Sequence, residues 1–277
     1  MGNESATHAG SIEIEAKKRA KEKNQLLAIS TVTVMVLLVM WEMSVRCGLV
    51  NARYVCAPTT VFGEFLNKFT EPNPDGAVLG VHIMTSLKLV LTGYIMAAAV
   101  GVPVGLLMGY YRTLDRLAAP IFEIIRPIPP IAWIPLSVIW LGIGTTAKSF
   151  IIFLAAFVPC VINSYTGVKL TSPVLINVAK TCGAKRWTIF RTVCVPSAMP
   201  LAFTGIKVAL GNAWSTLVAA ELLSATAGLG YMIQQGRSLA RSDVIIVGML
   251  TIGIIGAVLT WLLNQLESRV IGWRAKL

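Results

Sequence analysis

Six apolar runs of about 20 residues constrain this chain more than any other feature of its sequence. An α-helix of that length crosses the hydrocarbon core of a bilayer, which is about 30 Å thick. Hydrophobic residues make up 55% of the 277 residues and charged residues 13%, a composition that excludes a soluble enzyme and a disordered protein. The sequence therefore predicts an all-α, polytopic membrane protein with six transmembrane helices. The predicted spans are approximately 26–45, 83–109, 118–141, 146–166, 200–222 and 243–264.

The distribution of Lys and Arg over the loops predicts the orientation of these spans. If the N-terminus is cytoplasmic, fifteen of the cations lie on the cytoplasmic side and six on the other. This excess favours cytoplasmic positions for both termini, and it explains the net charge of +11 without a nucleic-acid partner. The predicted regions are a cytoplasmic tail at 1–25, the first span with an outer segment at 26–82, a transmembrane core at 83–265 and a cytoplasmic tail at 266–277.

The outer segment between the first two spans carries its own helical pattern. A Pro-Thr-Thr start at Pro58 precedes apolar residues at helical spacing, from Val61 to Phe69, and a Pro-Asn-Pro-Asp-Gly turn follows. We expect a short amphipathic helix lying on one face of the membrane.

Small residues recur at every fourth position of the second span. They form one stripe along a helix, and such stripes allow two helix backbones to approach closely in a membrane. We favour a close crossing of two helices within this chain, with a subunit interface as the alternative. The stripe consists of Gly93, Ala97, Gly101, Gly105 and Gly109.

The third span is interrupted by prolines. Each proline inside a helix removes a backbone hydrogen bond and clashes with the preceding turn, so a continuous helix is not expected. Irregular backbone at membrane depth is tolerated where it is buried in protein or lines a wet cavity, which makes this segment a candidate wall of a solute pathway. Arg126 could form an ion pair with Glu123 one turn earlier or present its charge to a polar solute. The prolines are Pro127, Pro129, Pro130 and Pro135.

The cytoplasmic loop at 167–199 contains the start and stop signals of two short helices. Ser172 followed by Pro173 predicts a helix N-terminus, and Gly183 predicts its end. A second helical piece is expected from Lys185 until Pro196.

The fifth span has a polar face. At 100° per residue, Thr204, Gly211, Asn212, Ser215, Thr216 and Ala219 share one side of the helix. This face could hold helices together or line a solute path. Glu221 points to the opposite side, where we expect it to pair with a neighbouring group.

The cytoplasmic loop resembles the Glu-Ala-Ala, Gly, Ile-x-Leu-Pro loop of ABC importer permeases, the membrane subunits of binding-protein-dependent uptake systems. Ala179, Gly183 and Pro196 match this pattern, whereas Asn177 replaces the Glu, Val178 the first Ala and Val195 the Leu. The stretches Arg126–Gly144 and Trp214–Leu222 are similar to the taurine, alkanesulfonate, nitrate and bicarbonate branch, and most of all to its taurine permeases.

The resemblance implies a type I ABC importer permease fold and a set of partners. These are a second copy of the subunit, two cytoplasmic ATPase subunits and a periplasmic or extracellular substrate-binding protein, in the lipid of a bacterial plasma (inner) membrane. The chain itself would be non-catalytic and hold no cofactor or metal, since ATP and Mg²⁺ would bind to the partner ATPase. Asn177, Val178, Ala179, Gly183 and Pro196 would form the coupling loop.

The substrate expected from the resemblance is a small sulfonate, with taurine first. Aliphatic sulfonates, nitrate and bicarbonate remain alternatives within the same class. The candidate pathway runs between the broken third span and the polar face of the fifth, and its candidate residues are Arg126, Pro129, Pro130, Asn212, Ser215 and Thr216.

Two other classes of protein remain as alternatives. A transporter driven by an ion gradient commonly shows interrupted spans in both halves of an inverted repeat, but this chain has one strongly broken span. An intramembrane enzyme finds little support, because His8 and His82 are the only histidines and no metal-ligand spacing occurs. Gly142–Ser149 departs from a P-loop at Ala147 and is expected outside the cell, so it is not a nucleotide site.

Overall fold

The computed structural model describes residues 22, 25, 26, 28–51, 54–224 and 226–271, with the side chains of 223 and 224 excepted. Regular structure in this part of the chain is entirely helical. A 3₁₀ turn, Pro130–Trp133, precedes α5, and a π-helical segment, Phe190–Cys194, joins α8 to α9. The helices are α1 (Ala28–Arg46), α2 (Pro58–Asn67), α3 (Leu79–Tyr110), α4 (Arg112–Ile125), α5 (Ile134–Leu141), α6 (Thr145–Lys169), α7 (Pro173–Thr181), α8 (Arg186–Ile189), α9 (Val195–Ser224), α10 (Leu229–Ser238) and α11 (Ser242–Val270).

Five helical stretches are long and apolar enough to cross a membrane, and a bent pair makes a sixth. The five are α1, α3, α6, the continuous stretch Arg186–Leu222 and α11. The bent pair is α4 with the 3₁₀ turn and α5, whose two arms meet at 87°. The break falls at Arg126–Pro129, where two of four residues lack a backbone N–H, so the predicted interruption of the third span is confirmed.

The described residues form two compact units, one up to residue 64 and the other from residue 65 onward. In the first unit, the carboxylate of Glu42 in α1 accepts hydrogen bonds from the backbone N–H and the hydroxyl of Thr59, at 3.2 and 2.9 Å. These bonds join α1 to the first turn of α2, which is the short helix predicted in the outer segment. Its apolar residues Phe62 and Leu66 are exposed, as expected for a helix on a membrane surface.

The second unit is organised around the crossing of α3 and α6. A Cβ atom added at Gly105 would lie 2.3 Å from the carbonyl oxygen of Val161, and one added at Gly101 would lie 2.9 Å from Cβ of Cys160. A Cβ atom added at Gly93 or at Gly109 would lie 2.7 Å from the nearest atom of α6. The small-residue stripe therefore serves a helix crossing within the chain, which confirms the favoured interpretation. Helix α6 packs on its other side against α9, where Gly167 meets Ala198 and Gly205 meets Asn163.

The loop at 167–199 begins and turns where the sequence predicts, but its second helical piece does not end where expected. Helix α7 begins at Pro173, although the Ser172 side chain forms no capping hydrogen bond, and Gly183 has a φ of +76°. The prediction that the second piece ends at Pro196 is wrong, because α8 continues through the π-helical segment into α9. The Val195 N–H bonds to the Phe190 carbonyl five residues earlier, and this wider turn accommodates a proline that lacks an N–H.

Candidate transport and coupling sites

The helical loop of α7 and α8 presents an apolar surface at one end of the second unit, which we call the loop end. Val174, Leu175, Val178 and Trp187 are all more than half exposed, and Asn177 and Gly183 are exposed beside them. Cations surround these residues, namely Lys180, Lys185, Arg186 and Arg191. An exposed apolar patch with a polar rim is typical of a protein–protein contact.

The opposite face of α7 holds the loop to the spans. Ile176 and Ala179 pack against a buried cluster that contains Ile189, Phe190 and Cys194. The hydroxyl of Tyr110, at the end of α3, donates a hydrogen bond to the Arg186 carbonyl at 2.9 Å. Ala179 therefore packs inward, whereas Asn177, Val178, Gly183 and Pro196 are exposed. A force applied to the α7 surface reaches α3 and α9 through a packed core.

A groove of about 280 Å³ lies along α4, between that helix and α3 and α6. Arg126 and Glu123 line it, together with Asp115 from the start of α4. The Asp115 carboxylate accepts hydrogen bonds from Lys169 at 3.0 Å and from the Tyr165 hydroxyl at 3.2 Å. The ion pair considered for Arg126 and Glu123 is not formed, and within the described part of the chain neither side chain has a hydrogen-bond or ion-pair partner.

The polar residues of α9 lie in a different place. Gly211 and Ser215 line a groove of about 310 Å³ between α9 and α11, whereas Thr216 is buried within the second unit. Asn212 is exposed. Of the candidate pathway residues, Arg126 lines the groove along α4 and Ser215 lines the groove between α9 and α11, and the other four line neither groove. Pro129 is exposed and Pro130 half-buried, and the 3₁₀ turn that begins at Pro130 packs against α6 and α9, so the broken span and α9 do touch.

A buried polar network occupies the end of the second unit opposite α7, which we call the distal end. The Glu221 carboxylate lies 2.7 and 2.9 Å from the Ser86 hydroxyl and accepts the backbone N–H of Gly230 at 2.9 Å. The Ser86 oxygen in turn accepts the backbone N–H of Leu229. Glu221 is 1% exposed and bonds to neighbouring groups, as the sequence predicted. It does not line a wall with Asn212.

His82 connects this network to the loop between α2 and α3. Its Nδ1 accepts the backbone N–H of Gly228 at 3.0 Å, so Nδ1 carries no hydrogen and the ring proton is on Nε2. Nε2 lies 3.2 Å from Oδ2 of Asp75, and the other carboxylate oxygen of Asp75 accepts a hydrogen bond from Lys68. The Lys68 ammonium also donates to the carbonyls of Asn73 and Ala77, both at 2.9 Å. All three side chains are fully buried or nearly so.

Burial alone would raise the pKa of Asp75, but its interactions with His82 and Lys68 outweigh burial and hold the pKa below its usual value of 3.8. A buried ion pair of this kind is stable only when the remaining donors and acceptors are also satisfied. Lys68 meets that condition, since each of its three N–H groups has an acceptor, whereas Oδ2 of Asp75 accepts no hydrogen bond.

Sequence reasoning identified the turn at 72–76 but missed this network. Lys68 and Asp75 fall in a segment that sequence alone assigns to the membrane surface, and His82 falls at the start of a span. The available signal was that His82 and Glu221 are ionisable residues at membrane-spanning positions, which usually have specific partners. The partners themselves could be identified only from the three-dimensional structure. Glu221, for example, bonds to Ser86, which lies 135 residues earlier in the chain.

The spans, including the broken third span, define a multi-pass membrane protein. The chain belongs to the family of binding-protein-dependent transport system inner membrane components, which matches residues 101–272. Members of this family work with an ATPase and a substrate-binding protein. The chain is accordingly a non-catalytic subunit of an ABC importer, and ATP hydrolysis takes place on a separate subunit.

Relatives of known description place the chain within one branch of this family. It is 47% identical over 208 residues to a putative ABC transporter permease of Methanocaldococcus jannaschii, covering 73% of this chain and 78% of that one. It is 37% identical to the taurine transport system permease protein TauC of Escherichia coli, over 90% of this chain and 91% of the relative. The nitrate import permease NrtB of Leptolyngbya laminosa is 32% identical over 85% of both chains.

Among solved structures, the fold is similar to that of a chain from the methionine ABC transporter MetNI in inward-facing conformations. The TM-score is 0.57 at 20% sequence identity, and the match covers 68% of this chain and 92% of the other. This likeness shows that the fold is that of an ABC importer permease.

Proposed function

We propose that this chain is the permease subunit of a taurine importer. The observation that carries the choice of substrate is its similarity to a taurine permease over nearly the full length of both chains. Two copies of the subunit form the pathway through a bacterial plasma membrane, with both termini cytoplasmic. Two ATPase subunits bind on the cytoplasmic side, and a substrate-binding protein delivers taurine from the other side.

The exposed face of α7 is the proposed contact with the ATPase. Val178 and Asn177 are exposed on this helix. Gly183 lies in the turn that follows α7, and Pro196 lies at the start of α9. Apolar side chains exposed at the loop end require a partner to cover them in water. Because α7 packs onto the core of the spans, closure of the ATPase pair is transmitted to α3 and α9 as a rigid-body movement. ATP and Mg²⁺ bind to the ATPase subunits and not to this chain.

The translocation pathway is proposed to run along the broken third span and α9. Arg126, Pro129 and Pro130 belong to the first of these, where the 3₁₀ turn leaves a stretch of irregular backbone. Asn212 and Ser215 contribute exposed polar groups from α9, and Thr216 lies beside them on the buried side. A small anion or zwitterion requires polar and partly cationic walls of this kind.

A nitrate importer is the second candidate. It is favoured by the similarity of this chain to a nitrate permease over 85% of both chains. Aliphatic sulfonates and bicarbonate belong to the same class of small anionic solutes. Transport driven by an ion gradient would require substrate movement without any ATPase.

The first experiment is purification of the tagged chain in a gentle detergent, followed by mass spectrometry of the proteins that co-purify. We expect an ATPase subunit in equal amount to the permease. The purified complex is then placed in liposomes with the cognate substrate-binding protein, and uptake of labelled taurine and nitrate is measured with and without ATP. ATP-dependent uptake of taurine supports the proposal. ATP-dependent uptake of nitrate without uptake of taurine would contradict it and favour the nitrate importer.

The coupling surface is tested separately with Val178→Asp, which places a charge on the exposed face of α7 without changing the packed side. Gly183 is less suitable, because its φ of +76° strains any other residue. We expect Val178→Asp to abolish co-purification of the ATPase at a normal membrane level. Leu49→Asp, at an apolar position that is 80% exposed against 56% for Val178 and lies outside the loop, is the control and should retain the ATPase.

A further inference from the structure

The groove along α4 brings charges of both signs to one small volume. Along the helix, Asp115, Ala119, Phe122, Glu123 and Arg126 fall on one face, because they are separated by intervals of one, two or three turns. Apolar side chains of α3 and α6 form the opposite wall, namely Met108, Val161 and Ile162. A volume of about 280 Å³ is smaller than the pockets that bind drug-sized molecules, which suits a ligand of a few heavy atoms.

The charges in this groove differ in whether they are compensated. Asp115 is paired with Lys169 and with the Tyr165 hydroxyl, so it is neutralised by the chain itself. Arg126 and Glu123 have no such partner among the residues that the structure describes, although they stand one turn apart. Ionisable residues within a membrane span that lack a partner are costly, and they usually serve a solute.

We infer that this groove is a subsite for a small zwitterion, in which Arg126 binds the sulfonate group of taurine and Glu123 binds its ammonium group. The inference rests on the proposed function and specifies how its substrate is recognised. A guanidinium donates two parallel N–H bonds to a tetrahedral oxyanion, and a carboxylate accepts from an ammonium. Residues at i and i+3 have Cβ atoms about 5–6 Å apart, so a molecule with two methylene groups between its charges reaches both.

This arrangement also discriminates between substrates. Nitrate or bicarbonate pairs with Arg126 but leaves the Glu123 carboxylate beside the bound anion without a counter-ion, which is unfavourable. An alkanesulfonate without an amino group has the same defect. The two methylene groups of taurine contact the apolar wall of Met108, Val161 and Ile162. Glu123 is therefore the residue that distinguishes a zwitterion from an anion.

The test uses the complete importer in liposomes, with saturating taurine-loaded binding protein, and measures taurine imported per ATP hydrolysed. Glu123→Gln and Arg126→Gln should each lower this ratio about tenfold, the loss expected when one charge-assisted hydrogen bond is removed. ATP hydrolysis stimulated by the binding protein should persist, because the α7 surface is unchanged. A general folding defect would lower hydrolysis and uptake together, so the ratio separates the two effects.

The matched controls are Arg116→Gln, an exposed arginine on α4 that does not line the groove, and Glu71→Gln, an exposed glutamate before α3. Both should keep the wild-type ratio. The conservative variants Glu123→Asp and Arg126→Lys should recover part of it. An unchanged ratio in Glu123→Gln and Arg126→Gln, in a wild-type importer that does transport taurine, overturns the inference alone. A wild-type importer that does not transport taurine overturns the proposed function instead.

Discussion

The Ser86 hydroxyl lies 2.7 Å from Oε1 of Glu221, and this contact joins the beginning of α3 to the last turns of α9. Both groups also receive backbone N–H groups from the start of α10, at Leu229 and Gly230. Three helices are thus fixed at the distal end by one carboxylate and one hydroxyl. Because both lie in the interior, each donor has no access to water if its acceptor is removed.

Glu221→Ala should therefore destabilise the permease. The substitution leaves the Gly230 N–H without an acceptor, at a cost of about 1–3 kcal/mol, and it removes packed atoms as well. In a chain of this size, each kcal/mol lowers the midpoint of thermal unfolding by about 2–4 °C. Glu71→Ala, at an exposed position, should leave the midpoint unchanged. Equal midpoints for the two variants would show that the network does not stabilise the distal end.

Gly228→Ala tests the same network by adding a Cβ atom beside the Glu221 carboxylate. Gly228 has a φ of +134°, and a Cβ atom there would lie 2.4 Å from Oε1 of Glu221. We expect a lower thermal midpoint and a reduced amount of protein in the membrane. Gly80→Ala is the control, since nothing lies within 4 Å of its added Cβ. The double variant with Glu221→Ala should be less destabilised than the sum of the two single changes, because the clash is with the Glu221 side chain.

The sequence predicted the spans well because the bilayer imposes a length that apolar runs reveal directly. It also predicted that prolines interrupt the third span, because each proline removes a hydrogen bond from its own backbone. It did not predict that the helix continues from α8 past Pro196 into α9 through a π-helical turn, whose residues Phe190 and Cys194 lie in a buried cluster. The contact of His82 with Gly228 was likewise beyond reach, since these two residues are 146 positions apart in the sequence.

Gly105→Ala examines the crossing of α3 and α6. The added Cβ would lie 2.3 Å from the Val161 carbonyl oxygen, which is backbone and cannot move aside as a flexible side chain can. The two helices must separate, and overpacking of this kind costs about 1–3 kcal/mol. We expect a fall in the thermal midpoint and in ATP-dependent uptake. Gly253→Ala in α11, where the added Cβ meets no atom within 4 Å, should retain both. A midpoint as high in Gly105→Ala as in that control would contradict the close crossing.

The ion pair of Lys68 and Asp75 predicts a dependence of stability on pH. Because the pKa of Asp75 is lowered in the folded chain, the pair stabilises the fold above the unfolded value near 3.8, and this contribution is lost as the pH falls through the folded pKa. Asp75→Asn removes the charge at every pH and leaves the buried Lys68 ammonium without its counter-ion. We therefore expect the wild-type chain to unfold at a clearly higher temperature than Asp75→Asn at pH 7, and the difference to shrink below about pH 4. Thermal unfolding of both proteins between pH 3 and 7 measures this, with Glu71→Gln as a control for the removal of an exposed carboxylate. A difference that stays constant over the whole range would mean that the Asp75 charge does not contribute to the stability of the distal end.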